Sequence, residues 1–133
     1  MIRAVADTHA LLWYLYNDER LSRTATEVID GADRAGDQIA ISSITLAEIV
    51  YLIEKGKIPT AAFERIVAVL EQADALLLEV PFERTIANVM RHIERSQVPD
   101  LPDRMIAATA IHLGVPVISR DHKIRSSVVT TIW

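Results

Sequence analysis

Four acidic residues stand where short apolar runs give way to other elements, and they are the first candidates for chemistry. Asp7 directly follows the first apolar run, Glu48 lies in a helical stretch after the second, and Asp121 comes two residues after a later run. A carboxylate among apolar neighbours needs a partner, because burying a lone charge costs many kcal/mol. Asp103 is such a carboxylate, since its helical stripe is apolar. That stripe continues with Ile106, Ala107, Ala110 and Ile111.

The types of side chain indicate a hard divalent cation as the shared partner of these acids. Carboxylates beside the hydroxyls of Thr8 and Ser119 suit Mg²⁺ or Mn²⁺, which prefer oxygen ligands. The chain has no cysteine, which excludes thiolate zinc sites and iron–sulfur clusters, and its histidines include no pair at i, i+4 spacing. Nearby bases could hold a polyanion: Arg104, Arg120, Lys123 and Arg125.

A carboxylate-held Mg²⁺ ion activates water and offsets charge on a phosphoryl group. The sequence has no glycine-rich phosphate loop and no G-x-S-x-G nucleophile motif. We therefore predict metal-assisted hydrolysis of a phosphate ester.

Each acid also has a purely structural interpretation. Asp7 could cap the first helix, and Asp103 could complement a helix N-terminus. Thr45 and Glu48 have the spacing of a capping box, and Asp121 is a common type of turn residue. These interpretations stay open at the level of the sequence.

The elements that must position these residues follow from an alternation of apolar runs with helical patterns. We predict strands over residues 2–6, 38–42, 76–80, 115–119 and 128–132. We predict helices over 9–16, 22–35 (capped by Ser22), 44–54, 60–73 (capped by Thr60), 82–95 and 103–113, with a loop over 96–102. This alternation indicates an α/β fold with a parallel sheet, whose ligands bind beyond the carboxyl ends of the strands. Three of the acids should lie near that edge, and Asp103 could join them through the loop that precedes it.

Composition is consistent with one domain over residues 1–133. Hydrophobic residues make up 50% of the chain and charged residues 24%, which is enough apolar material for a core. The net charge of −4 gives no sign of a nucleic-acid binder. No signal peptide or membrane-spanning stretch is evident, so we expect a cytoplasmic protein.

Four segments resemble the motifs of the PIN domain family, and within it the VapC-type toxins of toxin–antitoxin pairs. They are residues 7–13 (DTHALLW), 41–49 (ISSITLAEI), 100–110 (DLPDRMIAATA) and 117–121 (VISRD). In the third motif Leu101 and Pro102 replace the Pro-Phe that is common in the family, and Val98 stands where the family often has histidine. These departures concern the loop and leave the acids in place.

The resemblance implies a three-layer sandwich, with a central parallel sheet of four to five strands flanked by helices. It also implies a magnesium-dependent ribonuclease toxin that forms a homodimer and is neutralised by a small antitoxin protein. Catalysis and metal binding would fall to Asp7, Glu48, Asp103 and Asp121. Thr8, Ser119 and Arg104 would position the ligands or contact the RNA phosphate.

Two other classes of function are compatible with part of this pattern. A metal-dependent phosphohydrolase acting on small phosphate esters is one, although its D-x-D pattern is broken at residues 7–9. A non-enzymatic receiver-like domain with an acidic pocket is the other, although its lysine near the last strand has no clear counterpart.

The helices over 44–53 and 62–73 are also rich in apolar residues, and we predict that part of their surface binds a second copy or the antitoxin. The residues concerned are Ile49, Val50, Leu52, Ile53, Phe63, Ile66, Val67, Val69 and Leu70.

Overall fold

A computed structural model describes residues 1–125 and 128–133 of the chain, in which strands alternate with helices. The strands are β1 (Ile2–Ala6), β2 (Gln38–Ser42), β3 (Leu77–Val80), β4 (Val117–Ile118) and β5 (Thr131–Ile132). The helices are α1 (Thr8–Leu15), α2 (Arg23–Ala35), α3 (Ser43–Glu54), α4 (Ala62–Leu70), α5 (Arg84–Met90), α6 (Leu101–Leu113) and the short α7 (His122–Arg125). No described helix combines the length and the apolar character needed to span a bilayer.

The five strands form one parallel sheet in the order β3-β2-β1-β4-β5. The chain winds outward from β1 to β2 and β3, and then returns to the other side of β1 for β4 and β5. The direction of winding therefore reverses between β1 and β4, and open parallel sheets bind ligands in the crevice beyond the carboxyl ends at such a point. The predicted α/β class with a central parallel sheet is confirmed.

Alternate residues of the central strands face two hydrophobic clusters, because successive side chains of a strand point to opposite faces. Ala4 and Ala6 of β1 belong to the first cluster, whereas Val5 belongs to the second. Helices α1 to α4 pack on the first face, and α5, α6 and α7 pack on the second. The molecule is thus built of three layers, and both faces of the sheet are covered.

Helix α4 is shorter than the sequence pattern predicts. It spans Ala62–Leu70 rather than 60–73, and the residue at its N-cap is Ala61, which makes no side-chain hydrogen bond. The prediction that Thr60 caps this helix is therefore wrong. Ile66 of α4 and Ile49 of α3 are fully buried in the core, which removes them from the surface predicted to bind a partner.

The boundary between α5 and α6 also differs from the prediction. Helix α5 ends at Met90 rather than at residue 95, and α6 begins at Leu101 rather than at 103. The side chain of Asp100 caps α6 by accepting a hydrogen bond from the amide of Asp103 at 3.1 Å. Pro102 is tolerated here because the first turn of a helix has no use for its missing N–H. Asp103 thus lies inside the first turn instead of opening the helix.

The C-terminal strands are shorter than predicted. Strand β4 covers Val117–Ile118 of the predicted 115–119, and β5 covers Thr131–Ile132 of the predicted 128–132. The one-turn helix α7 was not predicted. Its start depends on the side chain of Asp121, which accepts hydrogen bonds from the amides of Lys123 and Ile124.

Candidate active site

The carboxyl ends of β1 and β4 open into a cavity of 630 Å³. All four predicted acids line this cavity, together with Thr8. Arg120 and Lys123, which the sequence indicates as nearby bases, also line the cavity. The remaining lining residues are His9, Trp13, Asp100 and His122. The cavity lies at the reversal point of the sheet, where the topology favours a ligand site.

Asp7 reaches the cavity from the residue after β1 and also caps α1. Its Oδ1 accepts a hydrogen bond from the amide of Ala10 at 2.8 Å, and the residue is only 8% exposed. Burial raises the pKa of Asp7 above its ordinary value, while hydrogen bonds from Ser119 and Ala10 oppose that rise. The structural interpretation of Asp7 is therefore correct. It does not compete with ion binding, because a carboxylate offers about four lone-pair sites.

Ser119 connects the two acids at the strand ends. Its buried Oγ accepts a hydrogen bond from the amide of Asp121 at 2.9 Å, and its hydroxyl donates to Asp7. The Oδ1 of Asp121 in turn accepts from the amides of Lys123 at 2.8 Å and Ile124 at 3.2 Å. Both carboxylates are thereby fixed in orientation by main-chain and hydroxyl donors.

Glu48 enters the cavity from α3. Thr8 Oγ1 donates to its Oε1 at 2.5 Å and lies 3.2 Å from the hydroxyl oxygen of Thr45. Helix α3 begins at Ser43 with Ser42 as its N-cap, so Thr45 is already inside the helix and the capping-box interpretation of Glu48 is wrong. Burial raises the pKa of Glu48, and repulsion from Asp100 adds to the rise, whereas the bond from Thr8 lowers it.

Asp103 is half-buried on the first turn of α6 and lines the same cavity. Burial raises the pKa of Asp103 to about 7, and repulsion from neighbouring carboxylates adds to the rise. Those carboxylates belong to Asp100, Asp121, Glu48 and Asp7. The cavity therefore concentrates negative charge without enough positive charge to offset it.

This donor set fits a hard divalent cation in charge and in chemistry. Oxygen ligands from carboxylates suit Mg²⁺ and Mn²⁺, and a cation would relieve the repulsion that raises the pKa of Asp103. Within residues 1–125 and 128–133, no three acidic or imidazole side chains stand close enough to form a ready coordination shell. Binding would therefore require the carboxylates to move toward the ion.

Arg104 does not line the cavity. Its Nη2 donates to the main-chain carbonyl of Met90, the last residue of α5, at 3.3 Å and to that of Ile93, beyond the helix, at 3.2 Å. Its Nε is buried and has no hydrogen-bond partner in the part of the chain that the structure describes. The side chain thus ties the first turn of α6 to the segment that follows α5.

Trp13 is the main feature of the site that the sequence did not reveal. Its indole is 7% exposed and lies within reach of two guanidinium groups, those of Arg20 and Arg120. In the sequence Trp13 is one more large apolar residue in a helical stretch, which is the ordinary signature of a core position. Nothing in the local pattern connects it with Arg120, which lies more than a hundred residues later.

Comparison with known proteins identifies what the chain is similar to. It is 28% identical over 126 residues to ribonuclease VapC22 of Mycobacterium tuberculosis, covering 95% of this chain and 92% of that protein. Two solved structures share its fold. One is VapBC2 from Rickettsia felis bound to a DNA fragment from their promoter, with TM-score 0.72, 19% identity, and coverage of 98% of this chain and 97% of that one.

The second is a toxin–antitoxin complex from Klebsiella pneumoniae, with TM-score 0.65, 23% identity, and coverage of 98% of this chain and 96% of that one. The profile of the PIN domain family matches residues 4–127, a range that contains all four acidic motifs. The predicted resemblance is therefore confirmed, and the chain belongs to the PIN domain family.

Proposed function

We propose that this chain is a magnesium- or manganese-dependent endoribonuclease of the VapC type, active in the cytoplasm as the toxin of a toxin–antitoxin pair. The observation that carries the proposal is the gathering of Asp7, Glu48, Asp103 and Asp121 around one cavity at the reversal point of the sheet. The name of the relative, a ribonuclease, supports RNA as the substrate. The two structural neighbours, which are toxin–antitoxin assemblies, support an antitoxin partner.

The proposed reaction is attack of water on an RNA phosphodiester, in which a P–O bond to water forms, one ester P–O bond breaks and the leaving oxygen takes a proton from solvent. Asp7, Asp103 and Asp121 would hold the ion. A bound Mg²⁺ or Mn²⁺ would acidify water and offset the charge that develops on the phosphate. Glu48, whose carboxylate is oriented by Thr8, would accept the proton of the attacking water.

Burial suits Glu48 to this role, because a raised pKa makes a carboxylate a better base near neutral pH. Ser119 would hold Asp7 in place, since it donates to that carboxylate and accepts from the amide of Asp121. In this scheme Arg104 acts indirectly, by positioning the start of α6.

Part of α3 exposes large apolar side chains that a partner could cover. On α3, Val50 is 41% exposed and Tyr51 is 57% exposed, and we propose that this part of the helix contributes to a homodimer or antitoxin contact. Light scattering at micromolar concentration tests the dimer. A stable monomer there would count against it.

Cleavage of a mixed pool of structured RNAs, including transfer RNAs, tests the enzymatic proposal. We expect discrete products with Mg²⁺ or Mn²⁺ and none with EDTA or in Asp7→Asn. Asparagine is as good an N-cap as aspartate, so this variant keeps α1 and removes only the charge. Asp33→Asn on the exposed face of α2 is the matched control and should cleave normally. Cleavage that persists in Asp7→Asn would refute the assignment.

A further inference from the structure

Trp13 lies at the boundary between the acidic cavity and a second groove of 420 Å³. His9 and Trp13 line both spaces, while Arg120 lines only the acidic cavity and Arg20 lines only the groove. The guanidinium carbon of Arg120 lies 4.6 Å from the centroid of the Trp13 ring, and that of Arg20 lies 5.2 Å away. The Trp13 indole thus makes cation–π contacts with two arginines, Arg120 at the acidic cavity and Arg20 at the groove.

The two arginines differ in how their charge is compensated. Arg20 is bound by Asp18 in a two-pronged ion pair, with Nε at 3.0 Å from Oδ1 and Nη2 at 2.7 Å from Oδ2. Arg120 is exposed, and no described carboxylate lies within ion-pair distance of it. Its donors are therefore available to an anion from solution.

The position of Arg120 matters because the cavity it borders is acidic. The carboxylates that would hold a cation also repel the phosphates that flank the cleaved bond of a strand. A guanidinium offers a planar set of donors that matches phosphate oxygens, and stacking on an indole restricts its motion before the ligand arrives. Trp13 is itself held by packing, with the Trp133 ring edge-on at 5.9 Å.

We propose that Arg120, held against Trp13, binds a phosphate of the substrate strand at the mouth of the acidic cavity, next to the phosphate that is cleaved. Trp13 is then a positioning residue for Arg120. This assignment rests on the proposed function, because it takes the cavity to be the place where a nucleic-acid strand is cut.

Binding of an uncleaved ligand tests the assignment separately from catalysis. The ligand is a fluorescein-labelled, single-stranded 2′-O-methyl RNA of mixed sequence, bound in Ca²⁺ and checked by electrophoresis to be intact. Anisotropy would be measured over a range of salt concentrations for the wild type, Arg120→Gln, Arg120→Lys and Arg20→Gln. The two glutamine variants lose the same charge beside the same indole, so Arg20→Gln is a matched control. Thermal unfolding of each variant verifies that it is folded.

We expect Arg120→Gln to bind about tenfold more weakly, as the loss of a charge-assisted hydrogen bond predicts. The slope of log affinity against log salt should fall by about 0.7, the value for one phosphate contact on a single strand. Arg120→Lys should recover part of the affinity, and Arg20→Gln should change it less than about twofold because its charge is already paired. In RNA cleavage, Arg120→Gln should raise KM more than it lowers kcat.

Equal effects of Arg120→Gln and Arg20→Gln, or an unchanged salt slope in Arg120→Gln, would overturn the assignment even if the wild type cleaves RNA. Binding that depends on Arg120 in a chain that cleaves no RNA would refute the proposed nuclease and keep the phosphate site. Absence of any binding by the folded wild type would overturn both.

Discussion

The two walls of the acidic cavity are built differently. The strand wall consists of Asp7 and Asp121, which follow β1 and β4, and the helix wall consists of Glu48 and Asp103, which are carried by α3 and α6. Both strand-wall carboxylates accept hydrogen bonds from main-chain amides at the start of a helix. On the helix wall, Glu48 accepts a hydrogen bond from the hydroxyl of Thr8, and the pKa of Asp103 is raised to about 7.

The two walls therefore differ in how the negative charge of their carboxylates is stabilised by hydrogen-bond donors of the chain. Main-chain amides at helix starts stabilise anions whether or not an ion is bound, so they fix the strand wall as part of folding. Burial raises the pKa of Asp7 as well, but hydrogen bonds from Ser119 and Ala10 oppose that rise. For Asp103, burial and repulsion from the neighbouring carboxylates act together to disfavour the ionised form. A cation that enters the cavity would relieve this repulsion on the helix wall.

The largest expected effect is the loss of catalysis when the charge of one carboxylate is removed from either wall. Asp103→Asn and Asp121→Asn should each reduce metal-dependent RNA cleavage by more than about a hundredfold, since even groups that only orient metal ligands contribute 10–100-fold. Cleavage assays at saturating Mg²⁺ measure this. Near wild-type cleavage by Asp103→Asn would show that the Asp103 carboxylate of the helix wall takes no part in the reaction.

Thr8 should have the next largest effect, because it is the link between α1 and the helix wall. Thr8→Val deletes the hydroxyl that donates to Glu48 and should lower kcat by about 10–100-fold, as loss of an orienting partner does. The same change should raise the pKa of Glu48 further, since the bond from Thr8 lowers it. The acid limb of the pH–kcat profile should therefore move to higher pH.

Thr8→Ser is the matched control for this variant, because it keeps the hydroxyl and removes only a methyl group. It should retain most of the activity and an unshifted profile. If Thr8→Val and Thr8→Ser behaved alike, the hydroxyl of Thr8 would have no part in orienting Glu48.

The third prediction concerns stability without metal, which should depend on pH through Asp103. The pKa of Asp103 is higher in the folded chain, about 7 against an ordinary 3.8, so between these values the folded state binds more protons than the unfolded state. Asp103 alone should therefore make the free energy of unfolding fall as pH rises from about 5 to 7.5, by less than about 1.4 kcal/mol per pH unit because solvent partly screens this half-buried group. Thermal unfolding in EDTA measures the slope.

Asp103→Asn should flatten this dependence and raise the Tm at pH 7.5, and it should do so more than Asp121→Asn, which gives up charge-assisted bonds to two amides. Addition of Mg²⁺ should raise the Tm of the wild type at pH 7.5 more than at pH 5.5, because the ion competes with the proton on Asp103. An equal gain at both pH values would show that the ion does not bind at the helix wall.

The sequence predicted the strand wall more completely than the helix wall, for physical reasons. Asp7 follows β1 directly, so a local pattern suffices to locate it and to suggest its cap. Asp103 depends on where α6 begins, and both Asp100 and Asp103 are suitable cap residues by type. In the structure Asp100 is the residue that caps α6. Arg104 holds the start of this helix through the carbonyls of Met90 and Ile93, and such a tertiary contact leaves no local pattern in the sequence.

The same limit applies to the contact between Trp13 and Arg120 beside the cavity. Residues at opposite ends of the chain form it, and the stacking of Arg120 on Trp13 depends on the adjacency of β1 and β4. A sequence pattern can suggest that these strands belong to one sheet, but it does not say which of them are neighbours. Asp7 and Asp121 could be predicted because they follow strands, and Glu48 and Asp103 because they are acids among apolar neighbours of a helix. The spacing of the four acids in the cavity follows from packing.

The smallest expected effect distinguishes two roles for Arg104. If it positions α6 from outside the cavity, Arg104→Met should lose hydrogen bonds to two carbonyls and lower stability by about 1–3 kcal/mol. That corresponds to a fall in Tm of several degrees. Cleavage at a temperature where the variant is folded should then fall much less than in Asp103→Asn, because the carboxylates remain. An unchanged Tm with a large rise in KM for RNA would instead mean that Arg104 contacts the phosphate, as the sequence alone suggested, and that the helix wall does not need it for support.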